Sequence, residues 1–233
     1  MIEPRIKPIE DSRKTIAALV QQRIREAILE GILPGGSRID QNQLASDLNV
    51  SLVPVREALK KLEGEGFVQI IPRRGAFVSE TTLDDMEDLY FTRSLLEGQA
   101  AYHAAENLTG DHLAQLDALM RDMRDALDTH DYHRFMDCNR QFHFIIYNAA
   151  GSKYLSNMIE GLWDLAERYR YRYVFFKDQA AVIQDEHRQI LDACHTHDKK
   201  QLRDTIIYHM NQTLQGVRGY ILSANHHGGG TGA

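Results

Sequence analysis

Apolar residues recur at three- and four-residue intervals over most of the chain, which is the pattern of helices that bury one face. The pattern first covers residues 12–30, where Ser12 suits the N-cap and Gly31 the C-terminal end. Two shorter helices follow the turn LPGG: QNQLASDL, which Asp40 can cap, and LVPVREALKKLEGEG, which begins after Ser51. We therefore expect three helices before the first strand.

Short β-type runs follow these helices. FVQII and AFVSE are separated by PRRG, a turn sequence that ends in Gly, and this order predicts a hairpin. Two short helices joined by a tight turn and followed by a hairpin are typical of a winged helix-turn-helix. The sequence therefore predicts a DNA-binding domain of this kind over residues 10–80.

The second part of the chain has a different character. Helical spacing begins after Thr82, which can cap a long helix, and weak breaks divide the region into six helical segments. The prediction is an all-α helical bundle over 81–224, followed by a Gly-rich, disordered tail over 225–233. The expected fold class is thus mainly α, with a small β-hairpin wing in the first domain.

Charge and composition are compatible with a DNA-binding protein. The net charge is −6, but residues 1–80 carry +1 and the remainder carries −7. A near-neutral domain can still bind DNA if its positive charges share one face. Cys138 and Cys194 form no CxxC pair, and the polar N-terminus lacks the apolar segment of a signal peptide. We expect a cytoplasmic protein with no membrane partner.

Basic and polar residues lie where a winged helix contacts DNA. Ser51 and Arg56 lie in the first two turns of the third helix, and Arg73 and Arg74 lie at the hairpin tip. A helix can enter the major groove, and a basic hairpin tip can reach the adjacent groove or backbone. The alternatives are that Arg56 is an ordinary surface or capping charge, or that the winged helix mediates protein contacts.

The run GILPGGSRIDQNQLASDLNVSLVPVREALKKLEGEGFVQIIPRRGAFV resembles the DNA-binding domain of bacterial GntR-family regulators over its whole length. Common features are the PGG turn, LA, VS, PVREAL, L-E-x-E-G and RRG, in this order. Two positions depart from the family. Leu52 stands where the family usually has an Arg that contacts the operator, and Asn42 stands where some relatives have another DNA-contacting Arg. The resemblance implies a DNA contact set of nine residues: Arg38, Asn42, Ser51, Leu52, Pro54, Arg56, Arg73, Arg74 and Gly75.

Histidines in the second domain predict a metal site. Asn139 and His143 are four residues apart and so share one helix face, while His187 and His209 lie on later helices among apolar neighbours. Three neutral imidazoles and an oxygen ligand between helices can hold a divalent metal ion with open coordination positions. The alternative is that the three histidines are buried hydrogen-bonding residues without a metal.

Residues 83–222 resemble the FCD-type ligand-binding domain of the FadR branch of the GntR family. The resemblance rests on R-x-x-L-E at Arg93–Glu97, on Phe142–His143, on Glu186–His187 and on His209. In that family an Asp and three His hold zinc or nickel, which helps to bind a carboxylate. The His carry over to His143, His187 and His209, whereas Asn139 replaces the Asp. Arg93 is a candidate partner of the effector carboxylate; the alternative is an ion pair with Glu97.

The leading hypothesis is a homodimeric transcriptional regulator, expected to be a repressor, that reads a pseudo-palindromic operator under the control of an organic acid. A metal-responsive regulator, in which the ion itself is the signal, is the first alternative. A hydrolase that activates water on three His is the second. No HExxH sequence occurs, and a bundle fused to a DNA-binding domain favours regulation. We therefore expect no enzymatic activity.

Overall fold

The computed structural model describes the backbone of residues 15–80, 82–174 and 179–228, and side chains within 15–80, 82–167, 182–219 and at 222. The chain divides into two compact units between Ser79 and Glu80. The predicted domains meet one residue away, between 80 and 81.

The first unit contains three helices: α1 (Ile16–Leu29), α2 (Gln41–Asp47) and α3 (Leu52–Gly64). The prediction that α1 begins near Ser12 is wrong for the described residues: the helix begins at Ile16, where the Thr15 hydroxyl accepts a hydrogen bond from the Ala18 N–H. Ser12 itself lies outside the described residues. Asp40 caps α2, as its sequence predicted, by accepting from two backbone N–H groups of the first turn.

Three strands form one antiparallel sheet: β1 (Arg38–Ile39), β2 (Val68–Ile71) and β3 (Gly75–Val78), in the order β1-β3-β2. The predicted hairpin is β2–β3, in which Val68 pairs with Val78 and Ile71 with Gly75. The strand β1 was not predicted, because two residues are too few to show an alternating pattern. Apolar side chains of the helices and the sheet form the core of the unit, namely Ile24, Val55, Leu59, Leu62, Phe67 and Ala76.

The second unit is helical throughout its described residues. It contains α4 (Leu83–Ala104), α5 (Gly110–Asp128), α6 (Tyr132–Ala149), α7 (Lys153–Val174), α8 (Gln179–Thr196) and α9 (Lys199–Gly228). The last helix thus extends past residue 224, where the predicted bundle ends, and residues 229–233 of the predicted tail lie outside the described residues. No described helix has the length and apolar character needed to cross a membrane.

The helix α4 packs against α9, α7 and α6, so it is a central element of the bundle. It begins at Thr82, whose hydroxyl accepts from the Asp85 N–H, with two acidic residues in its positively polarised first turn. Gly98 lies where α4 crosses α9: a Cβ there would lie 2.9 Å from Ile207 Cδ1. This close approach brings the buried face of α4 up to the helices that carry the candidate ligands.

Candidate DNA-binding face and candidate metal centre

None of the nine predicted DNA contacts is fully buried in the first unit. Leu52, Pro54 and Gly75 are half-buried, and six are exposed: Arg38, Asn42, Ser51, Arg56, Arg73 and Arg74. None is part of the apolar core of the unit. Their position is therefore compatible with contact to a large external ligand.

The start of α3 leaves polar groups available. Ser51 is the N-cap residue, yet its hydroxyl makes no capping hydrogen bond. Pro54 lies in the first turn, where the missing N–H costs no helical hydrogen bond. Arg56 Nε donates to Gln41 Oε1 over 3.3 Å, which links the guanidinium to α2. The start of α3 thus presents the Ser51 hydroxyl and the backbone N–H groups of the first turn, with the Arg56 guanidinium in the next turn.

A shallow depression joins the start of α3 to the sheet. Its lining includes Arg38 from β1, Asn42 from α2 and Arg56 from α3, together with Leu52 and Gly75. Residues from four separate elements therefore form one surface, which carries two positive charges and the negative charge of Asp40. The unpredicted strand β1 is what places Arg38 there, because it pairs with β3 beside the wing.

The wing turn needs unusual backbone angles. Arg73 has φ +64 and Gly75 has φ +111, a region that side chains with a Cβ rarely adopt. A Cβ at Gly75 would also lie 3.4 Å from Arg38 Nε. Arg74 lies over the Phe77 ring, 5.8 Å from its centroid. The hairpin thus presents two exposed guanidinium groups at its tip, as a DNA-contacting wing requires.

The three predicted histidine ligands converge in the second unit. His143 on α6, His187 on α8 and His209 on α9 each offer a ring nitrogen, and these nitrogens lie within 4.8 Å of one another. All three residues are buried. His143 Nε2 and His187 Nε2 are 3.1 Å apart. With metal–nitrogen bonds of about 2.1 Å, this separation corresponds to an angle of about 95° at a metal ion, which suits cis ligands.

Hydrogen bonds fix which nitrogen of two rings carries a proton. His187 Nδ1 lies 2.6 Å from the Ile183 carbonyl oxygen, which can only accept, so this nitrogen donates. Tyr147 donates its hydroxyl to Glu97 and lies 3.1 Å from His143 Nδ1, which therefore donates to the hydroxyl oxygen. In both neutral rings Nε2 is then the lone-pair atom. Two lone pairs that face each other at 3.1 Å repel, and a cation between them, either a proton or a metal ion, would remove this repulsion.

His209 has a carboxylate behind it. Its Nδ1 lies 2.6 Å from Glu186 Oε2, with both side chains about nine-tenths buried. Burial raises the pKa of Glu186 to about 7. A divalent cation beyond the imidazole would favour the ionised carboxylate, and a carboxylate that accepts from Nδ1–H turns Nε2 into the ligand atom. The donor set therefore fits a divalent metal ion that prefers imidazole, such as zinc or nickel.

Arg93 lies close to this cluster, in a second buried network. Its Nε donates to Glu97 Oε1 over 2.7 Å, and the guanidinium carbon lies 4.6 Å from the Trp163 ring centroid. The predicted ion pair with Glu97 is therefore present. It occupies only one edge of the guanidinium, because the buried Nη1 has no hydrogen-bond partner among the described residues. A buried, unsatisfied donor on a cation is the group that a carboxylate can bind.

One hydrogen-bonded chain connects the two networks. Arg93 donates to Glu97, Tyr147 donates to the other oxygen of Glu97, and His143 donates to Tyr147. The chain runs from α4 to α6 and ends at His143 Nδ1, which is joined through Cε1 to the ligand atom Nε2. Asn139 is buried on α6, one turn before His143, as its spacing predicted. Trp163 packs against His143 with 5.1 Å between ring centroids.

Sequence reasoning missed several residues of this site. Tyr147 was not considered, although it lies four residues after His143 and so shares its helix face. From the sequence, Glu186 was named only as the neighbour of His187 in a family motif, and the structure places it against His209. Trp163 gave no local signal, because its partners come from helices distant in sequence.

The fold and the two sites define a class: a regulator with a winged helix-turn-helix for DNA and a helical domain for a small ligand. Two family descriptions match the chain: "Bacterial regulatory proteins, gntR family" over residues 16–78 and "FCD domain" over residues 88–212. The chain belongs to the GntR family of transcriptional regulators, with an FCD domain. It is a regulator and not an enzyme, so the hydrolase alternative is excluded.

Relatives of the whole chain support this assignment. It is 32% identical to the HTH-type transcriptional regulator BphR of Paraburkholderia xenovorans (strain LB400), over 91% of this chain and 88% of the relative. It is 24% identical to the HTH-type transcriptional repressor RspR of Escherichia coli (strain K12), over 93% of each. The solved structure of E. coli McbR/YncC is 25% identical and has a TM-score of 0.73, covering 90% of this chain and 100% of that chain.

Proposed function

We propose that this protein is a transcriptional repressor controlled by an anionic effector, which binds at a divalent metal ion held by His143, His187 and His209. The observation that carries the proposal is the convergence of three buried imidazoles, whose ring nitrogens lie within 4.8 Å of one another. In two of them Nδ1 donates a hydrogen bond, so Nε2 is the atom available to a cation shared between the rings. Asn139 supplies a neutral oxygen ligand, weaker than a carboxylate for a divalent cation.

The effector is proposed to be a small organic acid. Three imidazoles and an amide leave coordination positions open on a zinc or nickel ion, and a carboxylate is a suitable ligand for them. The Nη1 of Arg93 supplies a second, charged contact. Because Glu97 already neutralises Arg93, an anion bound beside Arg93 alone would leave an excess negative charge. The metal ion removes this excess, so metal and anion should bind with positive coupling.

The regulatory output is proposed to be operator binding by a homodimer. Two recognition helices related by a two-fold axis read a pseudo-palindromic site. The exposed Phe91 and Leu95, one turn apart on α4, are 63% and 55% exposed and offer an apolar surface to a second copy. We propose repression and not activation of transcription, because the relative RspR is named as a repressor. The effector shifts the DNA-bound population only through different affinities for the two states.

The test is a titration that uses Trp163, the only tryptophan of the chain, as the reporter. Metal-free protein receives Ni²⁺ or Zn²⁺, and then citrate or acetate, while Trp163 emission and anisotropy of labelled operator DNA are measured. We expect saturable metal binding, anion binding that requires the metal, and altered DNA affinity only with both. Metal alone changing DNA affinity, with no anion effect, would instead support the metal-responsive alternative. No metal binding would overturn the proposal.

A further inference from the structure

We propose that Leu52 and Val53, the first two residues of α3, bind the 5-methyl groups of thymines in the major groove of the operator. The inference rests on the operator binding proposed above and adds a base preference to it. The two residues would make part of the operator half-site depend on thymine methyls. Arg56, one turn further along α3, would read an adjacent guanine.

The placement of Val53 is the first observation. Its side chain is 63% exposed, whereas Val55, two residues later, is completely buried in the core. Valine is a poor helix former, because its branched Cβ restricts rotation about χ1. Neither packing nor helix propensity therefore explains a valine at this exposed position. Contact with an external apolar group does.

The surroundings of Leu52 are the second observation. Leu52 is half-buried and lines the depression that also contains Arg38, Asn42 and Arg56. The depression carries two guanidinium groups and one carboxylate, that of Asp40, which already accepts from two backbone N–H groups of α2. Its net positive charge favours a polyanion as the external ligand. Leu52 is therefore part of the DNA-binding face, and the exposed Val53 is the next residue of the same helix turn. A protein partner of ordinary charge would not require this combination.

The chemistry of DNA then selects the target. In the major groove, the bases present hydrogen-bond donors and acceptors, and the thymine methyl is the apolar group among them. Leucine and valine side chains cannot donate or accept hydrogen bonds, so polar base edges beside them would lose water without compensation. A thymine methyl gains from the same contact. The pair therefore discriminates in favour of thymine and against guanine and cytosine at the contacted positions.

The experiment begins with selection of bound sequences from random double-stranded DNA by the full-length protein, supplied with Zn²⁺. We expect an enriched half-site that contains thymine beside guanine. Each thymine is then replaced by uracil, which removes only the methyl group. Replacement of a contacted thymine should weaken binding by about 4-fold, the value for one buried methyl-sized group. Uracil outside the half-site is the control and should leave the affinity unchanged.

Variants assign the methyl contact to the two side chains. In Val53→Ala, the uracil penalty should shrink at one thymine, and in Leu52→Ala at a neighbouring one. Val53 is exposed and alanine is the better helix former, so Val53→Ala leaves the core intact and thermal unfolding should show no decrease in Tm. Leu52→Arg should shift the selected base at its position from thymine to guanine, because Arg binds guanine through two hydrogen bonds.

Failure of this inference differs from failure of the proposed function. If a specific half-site is enriched but uracil has no effect at any thymine, the methyl contact is wrong while operator binding stands. The same holds if the uracil penalty persists unchanged in both alanine variants. If no sequence is enriched under any condition of metal or anion, sequence-specific operator binding is contradicted, and this inference falls with it.

Discussion

The candidate functional side chains are exposed in one unit of this protein and buried in the other. In the winged helix-turn-helix, six of nine candidate DNA contacts are exposed, and most lie within two short stretches of chain. In the helical domain, three histidines, two glutamates and an arginine are all buried. The candidate DNA contacts are close together in sequence, whereas the buried residues come from four helices that span more than 100 residues.

This difference has a physical reason. DNA is larger than the domain, so its contacts must lie on the surface and can be altered without loss of the core. A small ion or acid binds most strongly to groups held in a dry interior, because the low dielectric there strengthens each hydrogen bond and ionic contact. The cost is that each buried polar group needs a partner, as Tyr147 is for His143. Variants of the two units should therefore fail in different ways.

The largest expected effect is in the buried metal site. His187→Ala removes one of three imidazole ligands and should weaken metal binding by more than about 100-fold. This loss exceeds the about 10- to 100-fold loss of metal affinity that follows when only a hydrogen-bond partner of a ligand is removed. Isothermal titration of metal-free protein with Ni²⁺ or Zn²⁺ measures this. The exposed His103, changed to alanine, is the matched control and should bind metal as the native protein does. Equal affinity of the two variants would contradict the assigned ligands.

The corresponding change in the DNA-binding face is Arg56→Ala. It should weaken operator binding by about 1–3 kcal/mol per half-site, because a guanidinium contact to a base edge is lost. The fold should remain unchanged, since Arg56 is exposed and its polar contact is a 3.3 Å hydrogen bond to Gln41. Fluorescence anisotropy of labelled DNA and circular dichroism check the two statements. Arg23→Ala, on an exposed face of α1, is the control; a similar loss there would show a merely electrostatic effect.

A smaller effect should come from the hydrogen-bonded chain between the networks. Tyr147→Phe removes one hydroxyl, so His143 Nδ1 loses its acceptor and Glu97 loses a donor. Metal affinity should fall by about 10-fold, the lower end for such supporting partners. Stability should also fall, by about 1–3 kcal/mol for the buried carboxylate oxygen left unsatisfied. Tyr154→Phe, at a position 82% exposed, is the control and should change neither quantity. If Tyr147→Phe leaves metal affinity unchanged, the hydrogen-bonded chain does not support the metal ligands.

The smallest effect should be a gain. Asn139→Asp replaces a neutral amide oxygen by a carboxylate one turn before His143, and metal affinity should rise several-fold. The same titration, with Asn148→Asp on the exposed end of α6 as the control, measures it. A gain in both variants would indicate general attraction of the cation by negative charge. A loss in Asn139→Asp would show that residue 139 is not a ligand.

The sequence predicted much of the fold because local rules govern it. Caps such as Asp40 and Thr82 and the turn at Arg73–Arg74 mark their elements directly. It predicted the three histidines because their residue type and helical spacing are visible in one chain. The strand β1 was missed because two residues show no period. The contact between Glu186 and His209 was not predicted, because the two residues lie on different helices and only packing of α8 against α9 brings them together.

The most direct test of the central claim is anomalous X-ray scattering from crystals of the protein as purified. We predict one strong metal peak about 2.0–2.1 Å from a ring nitrogen of each of His143, His187 and His209, as expected for imidazole ligands. We further predict density for a carboxylate between that ion and Arg93. Absence of any anomalous peak, with His143 and His187 hydrogen-bonded to each other through a proton, would contradict the account.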